Sequence, residues 1–301
     1  MALNERSRTV RSHPSAEPPE VGLSSLDELW FQVAGTLCNL ECKHCFISCS
    51  PTNHSHELMS RVEVRRYLDE AESLGVNDTY FTGGEPFLNR ELVEILEDAL
   101  RIGPSTVLTN ATLIARDRAL ALAAIERRSR YSLEVRVSLD GPTAAMNDPI
   151  RGDGSFAATM AGLEELARAG LHPIVTVART WPDSDEEAVL EEFRSLLASR
   201  GVTRPRLKIL PLFLLGREEG RSRGYGEEER LTAEHMSGHD PWSLQCSTSR
   251  MVTSRGVMVC PLLIDAPDAR MGSTLTESLR AHPLAHGACH TCWATGATCR
   301  N

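Results

Sequence analysis

Apolar positions along this chain fall into short blocks, and from residue 29 to residue 215 the blocks alternate in kind. Short runs rich in β-branched and aromatic residues read as buried strands, and longer segments with apolar residues three and four apart read as amphipathic helices. Strands are predicted over residues 29–34, 76–82, 106–109, 133–139, 174–178 and 207–215. Between the first two, Ser60 opens a helix with Glu63 three residues on, a capping box. Val62, Tyr67, Leu68, Ala71 and Leu74 give it a stripe, and Gly75 ends it. Asn89 heads a second helix bearing Leu92, Ile95, Leu96 and Ala99, with Pro104 at its exit. Helices over residues 115–128, 156–169 and 185–199 follow, and residues 227–236 are expected to supply a sixth. Strands alternating with helices of this length imply parallel pairing through right-handed crossovers. The periodicity alone suits an open barrel and a doubly wound sheet equally.

The flanks differ. Residues 1–25 hold charges, prolines and serines without apolar periodicity and are expected to be a disordered lead, too short for a peptide-binding domain. After residue 216 a Gly-, Arg- and Glu-rich linker or loop precedes a hairpin over residues 250–260, a loop over 265–272 and a short helix over 274–281. A formal net charge of -9 argues against a nucleic-acid or anionic-membrane surface. No apolar run is long enough to span a membrane, and no secretory signal opens the chain. Nine cysteines in such a chain point to a reducing compartment, the cytoplasm, with thiols used as metal ligands rather than as disulfides.

Three of those cysteines, Cys38, Cys42 and Cys45, form a CxxxCxxC run just after the first predicted strand. Thiolates this closely spaced can all ligate one inorganic body. A zinc ion wants a fourth ligand or a water, whereas an iron–sulfur cluster held by three leaves one iron open. Gly83-Gly84-Glu85-Pro86 ends the second strand, and Ser138-Leu139-Asp140-Gly141-Pro142 ends the fourth. Parallel α/β folds gather their ligands at the carboxyl ends of strands, so the three runs are expected to build one site.

Together the segments CNLECKHCF, GGEP and SLDGP and the cysteine-rich tail resemble the radical S-adenosylmethionine (SAM) superfamily, from about residue 29 to the C-terminus. The resemblance implies an α/β fold: a partial (β/α)6 TIM-like barrel over residues 26–215. A small auxiliary-cluster domain of the SPASM or twitch type, a β-hairpin plus a short helix, would span 216–301. It implies that Cys38, Cys42 and Cys45 hold a [4Fe–4S] cluster whose open iron binds SAM. Reduction then cleaves the sulfonium to a 5′-deoxyadenosyl radical. It further implies Phe46 near the adenine, the Gly83 and Gly84 backbone with Glu85 at the SAM ammonium, and Asn110, Ser138 and Arg151 around ribose and carboxylate. Arg179 is a further candidate for that carboxylate or for substrate. Cys49 is expected to be a non-ligand, and His54 and His56 solvated loop residues.

Cys246, Cys260, Cys289 and Cys292 are expected to hold one auxiliary [4Fe–4S] cluster, with Cys299 as a spare or substitute ligand; a structural zinc needs the same thiols. The reaction implied is hydrogen abstraction from a peptide or peptide-like substrate, followed by oxidation or cross-linking with a flavodoxin- or ferredoxin-type reductant. The alternatives are a radical SAM enzyme acting on a small metabolite (sugar, nucleotide or tetrapyrrole) and a non-catalytic iron–sulfur or zinc protein. No catalytic side chain is singled out.

Overall fold

The computed structural model describes residues 17–202, 204–297 and 299. Its centre is a nine-stranded sheet with the order β10-β9-β8-β2-β3-β4-β5-β6-β7. Before the sheet, β1 (Glu20–Val21) pairs antiparallel with β11 (His282–Pro283). Part of the expected lead is therefore tied down: Pro19 and Ser24 also bond to the backbone of Leu284 and Ser247. Residues 1–16 of that lead lie outside the described residues.

β2 (Glu28–Gln32), β3 (Asp78–Thr82), β4 (Ser105–Thr109), β5 (Leu133–Ser138), β6 (Ile174–Ala178) and β7 (Arg206–Leu210) match the six predicted strands, and each pairs in parallel with the next. From β2 to β7 the strand order is monotonic. A doubly wound sheet reverses direction at a switch point. From β2 to β7 the described sheet shows no such reversal. The register is pinned by aromatic pairs on both faces of β2 and β3: Trp30 stacks on Tyr80 at 4.3 Å and Phe31 on Phe81 at 5.2 Å. Each such pair contributes about 0.5–1.5 kcal/mol beyond its burial.

The crossovers are α1 (Arg61–Leu74), α2 (Leu92–Ala99), α3 (Arg116–Arg128), α4 (Ala144–Arg151) with α5 (Ser155–Arg168), and α6 (Glu186–Ser199). The capping box of α1 forms as expected, and Gly75 closes the helix in the left-handed region. Its buried face is Val64, Tyr67, Leu68 and Ala71; Val62 is 80% exposed and does not belong to the stripe. No sixth long helix follows β7. Residues 217–236 give only α7 (Arg217–Arg221), a 3-10 turn, and α8 (Ala233–Met236).

The predicted hairpin is β8 (Ser249–Thr253) and β9 (Gly256–Met258), joined by β10 (Arg270–Gly272). It does not stand apart, because β8 runs parallel to β2 and extends the same sheet. The helix expected over residues 274–281 is only a 3-10 turn; the tail's helix is α9 (Gly287–Thr295), which carries Cys289 and Cys292. The result is an α/β fold with a mostly parallel central sheet whose outer strands, β10 and β7, are not paired with each other.

Candidate active site

The loop after β2 holds Cys38, Cys42 and Cys45, and its shape is imposed from several sides. Cys38 N–H donates to Ser50 O at 3.0 Å, Cys45 N–H to Cys42 O at 3.2 Å, and Lys43 N–H to Ile150 O of α4 at 2.8 Å. Arg217, at the start of α7, reaches over the loop. Its guanidinium donates to the carbonyls of Cys42 (2.8 Å), Ser48 (3.1 Å) and Cys49, and its own N–H to Cys45 O (3.1 Å). The sulfurs receive N–H groups too: Leu40 N–H to Cys38 Sγ at 3.4 Å and Cys49 N–H to Cys45 Sγ at 3.3 Å.

The thiols differ in acidity. Burial pushes Cys38 up to about 12 and raises Cys42. Cys45 is lowered to about 5, chiefly because the Cys49 thiol donates to it, and Cys49 is raised by the same bond. Cys49 thus acts on its neighbour through that donation. His56 is buried rather than solvated, and its Nε2 lies 3.0 Å from Asp265 Oδ1.

The glycines after β3 press against this loop. A Cβ on Gly84 would sit 2.0 Å from Leu37 O and 2.8 Å from Cys38 N, so no side chain is tolerated there. Gly83 has φ +142°, a region L side chains rarely adopt. Glu85 is fully buried and turned away from the space these glycines border. Its carboxylate accepts from Thr109 Oγ1 (2.7 Å), Asn110 N–H (2.8 Å) and Phe87 N–H (3.1 Å). Burial raises its pKa against those bonds. It fixes the turns after β3 and β4 to each other.

Asp140 of the SLDGP run is the hub that sequence reading missed. Its Oδ2 lies 2.6 Å from His44 Nε2 and 2.6 Å from Arg151 Nε, and its Oδ1 accepts from Ala178 N–H at 2.9 Å. Burial alone would raise this carboxyl, yet Arg151 and His44 hold it well below the usual range. One buried carboxylate therefore joins the cysteine loop, α4 and the ends of β5 and β6. The signal was present as His44 inside the cysteine run and Asp140 inside SLDGP, but nothing in the spacing shows that they meet. Arg179 is spent on Asp183 and Glu186 at the surface.

These pieces enclose a cavity of about 220 Å³. Cys38, Cys42 and Cys45 line it, as do Phe46, Gly83, Gly84, Asn110, Ser138 and Arg151; Glu85 does not. Asn110 donates to Asn39 Oδ1 at 2.9 Å and approaches Cys38 Sγ at 3.9 Å. Phe46 packs edge-on to Phe213 at 6.1 Å.

A second, smaller cavity of about 30 Å³ is lined by Cys246, Cys260, Cys289, Cys292 and Cys299 among leucines. Cys299, Pro261 and Leu262 face both cavities. Burial pushes Cys246 up to about 12 and Cys289 to about 11, and raises Cys260, Cys292 and Cys299. Soft sulfur donors in an apolar pocket suit iron or zinc, which would displace their protons. Among the described residues, no three His, Cys, Asp or Glu side chains are grouped to hold a single metal ion. No described helix is long and apolar enough to cross a membrane.

The chain has relatives among known proteins. The mycofactocin maturase MftC of Mycolicibacterium smegmatis is 33% identical over 208 residues, covering 68% of this chain and 48% of that protein. An AdoMet-dependent heme synthase of Oleidesulfovibrio alaskensis is 34% identical over 138 residues, 44% of this chain and 34% of the other. The chain thus spans between a third and a half of the length of these relatives. Among solved structures, Streptococcus suis SuiB bound to S-adenosylmethionine superposes with a TM-score of 0.63 at 16% identity, over 82% of this chain and 63% of SuiB. anSMEcpe with bound AdoMet gives 0.60 at 17%, over 83% and 79%. At such identities the likeness is one of fold. The Radical SAM superfamily model matches residues 33–196, a span that holds the cysteine loop, the paired glycines and Asp140. More than half of the sequence lies inside that match, and the chain belongs to the radical SAM superfamily.

Proposed function

We propose that this radical SAM enzyme acts on a peptide or peptide-like substrate and completes an oxidation or cross-link with the help of an auxiliary cluster. Cys38, Cys42 and Cys45 would hold a [4Fe–4S] cluster and leave one iron for SAM. The donor set fits: three thiols line one cavity, two sulfurs already accept N–H groups, and Cys45 is poised as a thiolate. When bound, the cluster supplies the electron that splits the sulfonium of SAM and releases a 5′-deoxyadenosyl radical.

The protein's part is placement. The Gly83 and Gly84 backbone leaves room for an ammonium beside the cysteine loop, and Asn110, Ser138 and Arg151 offer polar groups to ribose and carboxylate. Arg151 is kept charged and oriented by Asp140. Phe46 and Phe213 provide an apolar wall that keeps water out. The unclosed sheet, monotonic from β2 to β7, supports the partial barrel that the family resemblance implies.

The observation that carries the auxiliary-cluster reading is the wall common to both cavities. Cys299, Pro261 and Leu262 stand between the cavity assigned to SAM and substrate and the pocket of Cys246, Cys260, Cys289 and Cys292. Cys246, Cys260, Cys289 and Cys292 would hold a cluster there, and it would supply an electron acceptor for the oxidation of substrate. MftC is named as a maturase, and SuiB has been captured with its precursor peptide SuiA; both support a peptide substrate here. The heme-synthase relatives favour the small-metabolite alternative.

The test is anaerobic reconstitution with iron and sulfide, then dithionite and SAM. About eight irons per chain and formation of 5′-deoxyadenosine are expected, four irons for each cube. A colourless protein that holds zinc and releases no deoxyadenosine overturns the proposal.

A further inference from the structure

We infer that the inner end of the larger cavity is built to take a carboxylate of the substrate, and that Arg136 binds it. Arg136 lies on β5 two residues before Ser138, hence on the same face and about 7 Å further from the strand's carboxyl end. It is 1% exposed and lines the cavity. Its Nε donates to Thr176 Oγ1 at 3.2 Å and its Nη1 to the carbonyl of Cys299. Its Nη2 is buried with no hydrogen-bond partner. The neighbouring carboxylate, Glu134, accepts from Arg206 and acts on Arg136 through its charge. Among the described residues, no Asp or Glu lines the cavity.

Trp30 of β2 lines the same cavity, is also 1% exposed, and carries a buried Nε1 that is likewise without a partner. Two leftover donors, one of them cationic, thus border one space. A cation taken out of water is costly unless an anion meets it. Among the described residues, the other guanidinium of the cavity, Arg151, already has Asp140, and Arg136 has no such partner. The missing anion is then one that arrives with the ligand. A carboxylate suits the site better than a phosphate, because two free donors match two oxygens. The remaining wall includes Leu108, Leu210 and Phe213, which offer a third oxygen nothing.

This assignment rests on the reading that substrate occupies the cavity, and its test is a binding measurement that needs no turnover. The reconstituted protein with SAM is titrated calorimetrically with N-acetyl-L-phenylalanine, with the corresponding amide, and with phenyl phosphate. The acid is expected to bind about 10-fold or more tightly than either. Arg136→Gln is expected to weaken the acid about 30-fold or more while leaving the amide and SAM unchanged. Arg136→Lys, which keeps the charge and loses the planar fork, is expected to fall between.

Equal or absent binding of acid and amide to the unaltered protein overturns the inference, as does tighter phenyl phosphate or an acid preference that survives in Arg136→Gln. The wild-type comparison decides even where the glutamine variant does not fold. Deoxyadenosine formation in the same preparations separates the two readings. Deoxyadenosine without an acid preference removes the carboxylate site alone; an acid preference without deoxyadenosine removes the proposed enzymatic role alone.

Discussion

The two cysteine regions use one device in two different settings. In the N-terminal loop, Arg217 gathers the carbonyls of Cys42, Ser48 and Cys49 from a partly exposed position, and the sulfurs lie among N–H donors and charges. In the C-terminal region, Arg250 is 1% exposed and donates to the carbonyls of Cys246, Ser249, Ser278 and Arg280. Burial brings that guanidinium down to about 10, still protonated at neutral pH. The first region collects three thiols from eight residues; the second collects five from a stretch of 54. The first is a local motif with a poised thiolate, whereas the second depends on the whole sheet edge being in place. Their ligand chemistry is expected to differ accordingly: the first set ligates early and tightly, the second only in the folded protein.

The widest gap between the regions is expected in catalysis. Cys42→Ala should take deoxyadenosine formation to background, while Cys292→Ala should leave it near wild type and abolish coupled product. Full product from Cys292→Ala would remove the electron-acceptor role from the second set. Next in size is the loss of folding stability. Arg250→Met strands four carbonyls, two of them in fully buried bonds, and should cost about 3–5 kcal/mol in urea unfolding, against about 1–3 kcal/mol for Arg217→Met. If the two costs prove equal, the contrast between a local and a global setting fails. Arg217→Met should instead show itself in faster iron loss from the N-terminal site, measured by chelator challenge.

Asp140→Asn tests whether ion pairing holds the first region. Breaking a buried pair costs about 3–5 kcal/mol, and part of it is the Arg151 charge left behind. The sign with pH follows from the direction of the shift. The Asp140 carboxyl is held below its usual value in the folded protein. Its contribution is therefore complete above the ordinary carboxylate pKa and fades as pH falls through the lowered folded value. The wild-type advantage over Asp140→Asn should be flat from pH 8 to 5 and shrink only below about pH 4.

The smallest effect is a control remote from both cysteine sets. Asp98 joins α2 to α1 through Arg61 at 2.6 and 2.9 Å, and that bond lowers its pKa. Arg61 is partly exposed, so Asp98→Asn should cost about 1 kcal/mol at pH 7, with the same acid-side fading and no change in iron content. A change in iron content would mean that helix packing, not local structure, sets ligation.

Much of the frame was legible because β2 to β7 are short runs rich in β-branched and aromatic residues, and the chemical motifs follow β2, β3 and β5. What escaped had physical reasons. The α4 helix contains Pro149 and the polar pair Asn147-Asp148, so it reads as a turn; it is held by Thr143 at its start and packs on α5. The alternation Leu-Glu-Val-Arg-Val-Ser in β5 puts Arg136 on the polar face of a half-buried strand, yet here that face lines the cavity. The segment over residues 227–236 has helical residue types, but its apolar positions do not persist for two turns. His44, Asp140 and Arg151 meet only because the loop after β2, the end of β5 and the end of α4 converge, which no single-sequence spacing encodes.

The pairing of β8 with β2 has a consequence for synthesis. Glu28 faces Ser249 across a parallel ladder, so the outer edge of the first sheet strand waits for a segment made some 220 residues later. At 5–20 residues per second, translation leaves that edge bare for about 10–40 s. During that interval a hydrophobic, hydrogen-bond-hungry ribbon is available to any passing chain. Nascent chains halted before Ser249 should accordingly need a holdase to stay in solution, and release of the hairpin should end that need.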